Sequence, residues 1–120
     1  QRGFKPQKRD YTTPDEEFIK EVMDCIYKNY QDPEFDQNKL TEILGYSKST
    51  LYRKLKSLTG MTTSNLIKDV RLKMAYELLN KKGGTRISEI AYMVGFNDPK
   101  YFAICFKKEF GMLPSELDKD

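Results

Sequence analysis

The sequence predicts an all-α fold: two small helix-turn-helix lobes joined by one long linking helix, about seven helices in total. The first observation behind this is an internal repeat. Leu40–Met61, LTEILGYSKSTLYRKLKSLTGM, is echoed by Ile90–Met112, IAYMVGFNDPKYFAICFKKEFGM. Each copy runs apolar helix, Gly plus aromatic, polar turn, second helix with basic residues, then Gly-Met. Gly45 and Gly95 lie 50 positions apart and Gly60 and Gly111 lie 51 apart, because the turn after Gly95 holds one extra residue. The second observation is the stretch between the copies, where Leu66, Val70, Met74 and Leu78 recur every four residues. The third is that no segment alternates apolar and polar residues as a strand does.

Each element follows from local signals. Thr13-Pro14-Asp15-Glu16 is a helix start, with Thr13 as N-cap, Pro14 in the first turn and Glu16 closing a capping box. Phe18, Ile19, Val22, Met23, Ile26 and Tyr30 then recur at helical steps until Asp32-Pro33. Asp36 caps a second helix presenting Leu40, Ile43 and Leu44, which stops at Gly45. Ser47 caps a third, with Leu51, Leu55 and Leu58 inward and Gly60 at its end. Thr62 to Lys81 forms the longest helix, closed by Gly83-Gly84. Ile87 to Val94 is a short fifth helix. Asp98-Pro99 opens a sixth with Phe102, Cys105, Phe106 and Phe110 on one face, Gly111 stops it, and Pro114 to Leu117 begins a seventh. The expected division is a linker or arm over residues 1–13 and a domain over 14–120. Within the domain lie lobe one (14–61), the linking helix (62–82) and lobe two (85–118). The arm carries Arg2, Lys5, Lys8 and Arg9, which suit either a plain linker or contact with phosphates.

Composition bounds the chemistry. With 120 residues, 38% hydrophobic and 32% charged, the chain suits one compact domain or two very small lobes. The absence of histidine removes the commonest general base and zinc ligand. Cys25 and Cys105 fall among apolar helical positions, which reads as buried thiols in a reducing compartment, and no metal, cofactor or small-molecule ligand is expected. No apolar run approaches a membrane span, so a cytoplasmic location is expected. A start at Gln1 rather than Met leads to the expectation of a piece of a longer protein.

The net charge of +3 matters less than its distribution. Ser47 to Gly60 holds Lys48, Arg53, Lys54 and Lys56 without an acid, a local charge of +4; Asp98 to Gly111 sums to +1. In a helix-turn-helix the second helix enters the major groove of double-stranded DNA. With Leu51 and Leu55 inward, the third helix turns Lys48, Ser49, Tyr52, Arg53 and Lys56 outward. The planar fork of Arg53 matches the two acceptors of guanine, Tyr52 and Ser49 suit bases or phosphates, and the lysines suit phosphates. The sixth helix turns out Lys100, Tyr101, Ala103, Ile104, Lys107 and Lys108. Ile104 aligns with Arg53. It either meets a thymine methyl or is plain surface, with the lysines holding phosphates. Tyr46 and Phe96 follow the turn glycines at equivalent positions and are expected to pack in the core. About eighteen residues of linking helix span roughly 27 Å at 1.5 Å each. Successive major grooves on one face lie about 34 Å apart, so such a helix suits two recognition helices in neighbouring grooves.

These residues carry a family resemblance. The stretch from about Phe35 to Leu117 resembles the AraC/XylS-type transcription regulators, through GYSKSTLYRKLKSLTGM, IKDVRLKMAYELL and ISEIAYMVGFNDPKYFAICFKKEFGMLPSE. The resemblance implies homeodomain-like three-helical units on either side of a central helix, promoter DNA and RNA polymerase as partners, and usually activation. It also places Arg53 on the family's base-reading arginine, Ser49 and Tyr52 on neighbouring contact positions, and Lys100 and Tyr101 on contact positions of the second helix. Ala103 and Ile104 replace a small polar residue and a Lys or Arg, and Leu113 stands where a Ser or Thr often caps the last helix. The lead-in DEEFIKEVMDCIYKNYQDPEFD resembles the output domains of Bacteroidetes hybrid two-component regulators. That resemblance implies bacterial sensor, kinase and receiver domains upstream, in a parent anchored in the inner membrane. A helical protein-interaction module docking an acidic partner is the alternative. An enzyme would need converging acid-base or nucleophilic groups, and no such motif is present.

Overall fold

The computed structural model describes residues 13–81 and 83–117. Apart from Thr13, the arm with Arg2, Lys5, Lys8 and Arg9 lies outside them. The described residues form seven helices and no strand. These are α1 (Pro14–Asn29), α2 (Gln37–Leu44), α3 (Lys48–Thr59), α4 (Thr63–Asn80), α5 (Ile87–Met93), α6 (Pro99–Phe110) and α7 (Pro114–Leu117).

The helix starts are capped as their sequences dictate. At α1 the Thr13 hydroxyl accepts the Glu16 N–H at 3.1 Å and the Thr13 N–H donates to the Glu16 carboxylate at 2.9 Å, a complete capping box. Asp36, Ser47, Thr62 and Asp98 accept backbone N–H groups at the starts of α2, α3, α4 and α6. Leu113 offers no side-chain acceptor to α7, yet half of a box survives: its own N–H donates to the Glu116 carboxylate at 2.8 Å.

Two apolar cores result. The first joins Phe18, Val22 and Ile26 of α1 with Leu40 of α2, Leu51 and Leu55 of α3, and Leu66, Ile67 and Val70 of α4. The second joins Leu72, Ala75 and Leu79 of α4 with Ile90, Val94 and Phe96 and with Phe102, Cys105 and Phe106 of α6. Both cysteines are free and buried. Burial pushes the Cys25 thiol up, away from the reactive thiolate. Phe96 is buried, and Tyr46 packs edge-on against Phe18 while its hydroxyl donates to Glu21 at 3.1 Å, so both turn aromatics serve packing.

Three expectations need correction. Ile43 and Leu58 are exposed, at 57% and 39%, because each is the second-last residue of its helix, beyond that helix's last buried position, Thr41 in α2 and Leu55 in α3. On α4 the four-residue stripe is only part of the buried surface. Leu66 and Val70 are buried and Met74 and Leu78 half-buried, while Ile67, Leu72, Ala75 and Leu79 complete a helix that serves one core with its first half and the other with its second. The α4 helix also ends at Asn80, with Lys81 already extended.

Arg71 of α4 makes a connection that periodicity does not reveal. Its Nε donates to the Tyr30 carbonyl at 2.9 Å, and Nη2 donates to the carbonyls of Asp32 at 2.9 Å and Phe35 at 3.3 Å. Burial works against the charged guanidinium there, and Asp32 opposes that effect.

Candidate nucleic-acid interface

Leu51 and Leu55 are fully buried and set the rotation of α3. The helix therefore turns Lys48, Ser49, Tyr52, Arg53 and Lys56 to solvent, with Tyr52 51% exposed. Helices α2 and α3 pack against each other across the Gly45 turn, the arrangement in which a first helix braces a second. Lys54 is the exception among the basic residues. Its ammonium lies 4.6 Å from the centre of the Phe18 ring and it is half-buried, so it ties α3 to α1. Lys56 donates to the Gly60 carbonyl at 3.2 Å, a helix C-terminal contact it would exchange for a phosphate.

In α6 the fully buried Phe102 and Phe106 play the part of Leu51 and Leu55. Lys100, Tyr101, Ile104, Lys107 and Lys108 are exposed, Ile104 the most at 66%. Ala103 is half-buried rather than outward, since its short side chain sits at the edge of the packed face. Asp98 spends its carboxylate on the Lys100 N–H at 3.0 Å, as a cap. Among the described residues, the side chains of Lys48, Arg53, Lys100, Lys107 and Lys108 have no ion-pair or hydrogen-bond partner. Unneutralised cations on two equivalent helices are a surface suited to a polyanion.

Sequence reasoning missed the space between the lobes. A cleft of about 250 Å³ beside the start of α6 is lined by Asn65, Lys68 and Arg71 of α4 and by Asn97 and Tyr101 of the second lobe, with no carboxylate. Lys68 and Arg71 stand in the linking-helix pattern, but spacing along one helix carries no sign of which residues on another lobe they face.

The comparisons agree with this architecture. Residues 40–120 match a family described as "Helix-turn-helix domain", of the AraC type. Over 111 residues, 92% of this chain, the sequence is 36% identical to a protein of Formosa agariphila named "Histidine kinase P4". It is 38% identical over 102 residues, 85% of the chain, to "HTH-type transcriptional activator RhaS" of Mannheimia succiniciproducens. The chain spans 8% and 37% of these two relatives. Among solved structures, the C-terminal domain of the two-component response regulator yesN from Fusobacterium nucleatum superposes with a TM-score of 0.79 at 27% identity, covering 86% of this chain and 99% of that one. The C-terminal domain of AraT, a response regulator from Geobacillus stearothermophilus, gives 0.78 at 27% identity, covering 88% and 84%.

Proposed function

The chain belongs to the AraC-type helix-turn-helix family of DNA-binding transcription regulators, and from that premise we propose that it grips promoter DNA by laying α3 and α6 into neighbouring major grooves. The observation that carries this is the pair of exposed basic helices held at equivalent places in two lobes, one at each half of the 18-residue α4. In this reading Arg53 reads bases, with Ser49 and Tyr52 beside it, and Lys48 and Lys56 hold phosphates. In the second lobe Lys100, Tyr101, Lys107 and Lys108 supply grip, Ile104 meets a thymine methyl, and Ala103 allows close approach of the helix.

The names of the relatives support a place in signalling. A histidine kinase and two response-regulator C-terminal domains are among the proteins most like this chain. This domain is then the output unit of a two-component protein, with receiver and sensor domains before it and RNA polymerase as its partner at the promoter. No helix among the described residues is long and apolar enough to cross a membrane.

Hydroxyl-radical footprinting on a duplex chosen by in vitro selection tests the binding mode. Protection of two segments one helical turn apart on one face is expected. A single protected segment would mean that α6 does not dock, and equal binding to duplex and to an acidic polymer would favour a protein partner instead.

A further inference from the structure

We infer that Arg71 is a positioning residue for DNA recognition: it locks the second lobe against the first and thereby sets the half-site spacing that the domain accepts. The inference rests on the two-groove binding mode proposed above.

The guanidinium sits where the lobes meet. On one side it donates to the carbonyls of Tyr30, Asp32 and Phe35, the segment joining α1 to α2. On the other side lies Gly95, the turn residue of the second lobe. Gly95 has φ of 103°, and a Cβ there would stand 2.5 Å from Nε of Arg71 and collide with the Tyr30 carbonyl oxygen. Gly45, its counterpart in the first copy, has nothing within 4 Å of such a Cβ. The turn alone therefore does not require this crowding; the meeting of the lobes creates it.

Both flanks lead directly to a recognition helix. Phe35 belongs to the core that holds Leu51 and Leu55 of α3. Phe96, next to Gly95, packs edge-on against Phe102 at 5.1 Å and Tyr101 at 6.1 Å, both on α6. Among the described residues, apolar contact shared by the two cores runs through Tyr30 and Met74, both only partly buried, and the clamp ties the Tyr30–Phe35 segment to the shared α4 right beside Gly95. A rigid connector rewards one spacing of two linked sites and penalises the rest, whereas a loose one spreads the same advantage over many.

The test uses the 120-residue chain and its Arg71→Met variant, which keeps the stem and deletes every donor. Affinities are measured for duplexes carrying both half-sites at the selected spacing, the same half-sites moved apart by one or two base pairs, and the first half-site alone. Residual dipolar couplings of the two lobes are recorded without DNA. The variant is expected to lose about tenfold on the selected duplex, to show a flattened spacing preference, and to bind the single half-site like the parent. The couplings of both lobes should fit one alignment tensor in the parent and two different tensors in the variant. If Arg71→Met fails to fold, by amide chemical shifts, Arg71→Lys carries the same measurements with the charge retained and the fork removed. A folded variant with the parent's spacing preference and a single tensor overturns the inference. A parent indifferent to the second half-site overturns the two-groove binding mode, and with it the spacing role; a single tensor in the variant would then refute the lock as well.

Discussion

Arg53 and Ile104 stand at the same place in the two copies and offer DNA different chemistry. Arg53 is exposed and its guanidinium has no partner among the described residues, so a bidentate contact to guanine displaces none of them. Arg53→Ala should lose about 1–3 kcal/mol on the selected duplex and much less on random DNA, read by parallel titrations. Ile104, 66% exposed, has at most a thymine methyl to touch, so Ile104→Ala should cost less than Arg53→Ala. Lys107→Ala should weaken binding to all sequences nearly equally, because phosphates carry no sequence information. Site selection with the Ile104 variant is the sharp comparison: a larger change in selected sequence than Arg53→Ala produces would reverse this division between the lobes.

The α6 helix depends on its aromatic face more than α3 does on its leucines. Phe102 and Phe106 are both fully buried, and Phe106 also stacks with Tyr76 and meets Phe110 at a tilt. Phe102→Ala should cost about 3–5 kcal/mol, enough to unfold the second lobe of so small a domain, measured by urea denaturation. The first lobe, whose core shares only Tyr30 and Met74 with the second among the described residues, should keep its amide protection in that variant. At the start of α1, Thr13→Ala removes the acceptor for the Glu16 N–H and should cost about 1 kcal/mol in the same assay.

Taken together, a modest net charge of +3 is concentrated where two helices face out. Counting Lys48, Lys56, Lys100, Lys107 and Lys108 as phosphate partners, log Kobs should fall with log salt with a slope of roughly −4 to −5. A slope near zero would sink the DNA reading. The described residues span 50 × 42 × 22 Å, long enough for two grooves about 34 Å apart and thin across the remaining direction. An α4 of 18 residues supplies the separation.

What could be read from the chain alone was whatever repeats over three or four residues or sits at a helix end. The duplicated units, the caps at Thr13, Ser47 and Asp98, and the outward set on α3 all follow from local geometry, because a helix converts spacing into direction. Ile43, Leu58 and Ala103 escaped this logic, since periodicity says which way a side chain points and not whether anything lies there to cover it. The Arg71 clamp escaped it completely. Its partner Tyr30 is 41 residues away, and Gly95 in sequence resembles the unobstructed Gly45. Such a junction arises from the packing of two lobes onto one shared helix, a long-range arrangement to which neither repeat nor period is sensitive.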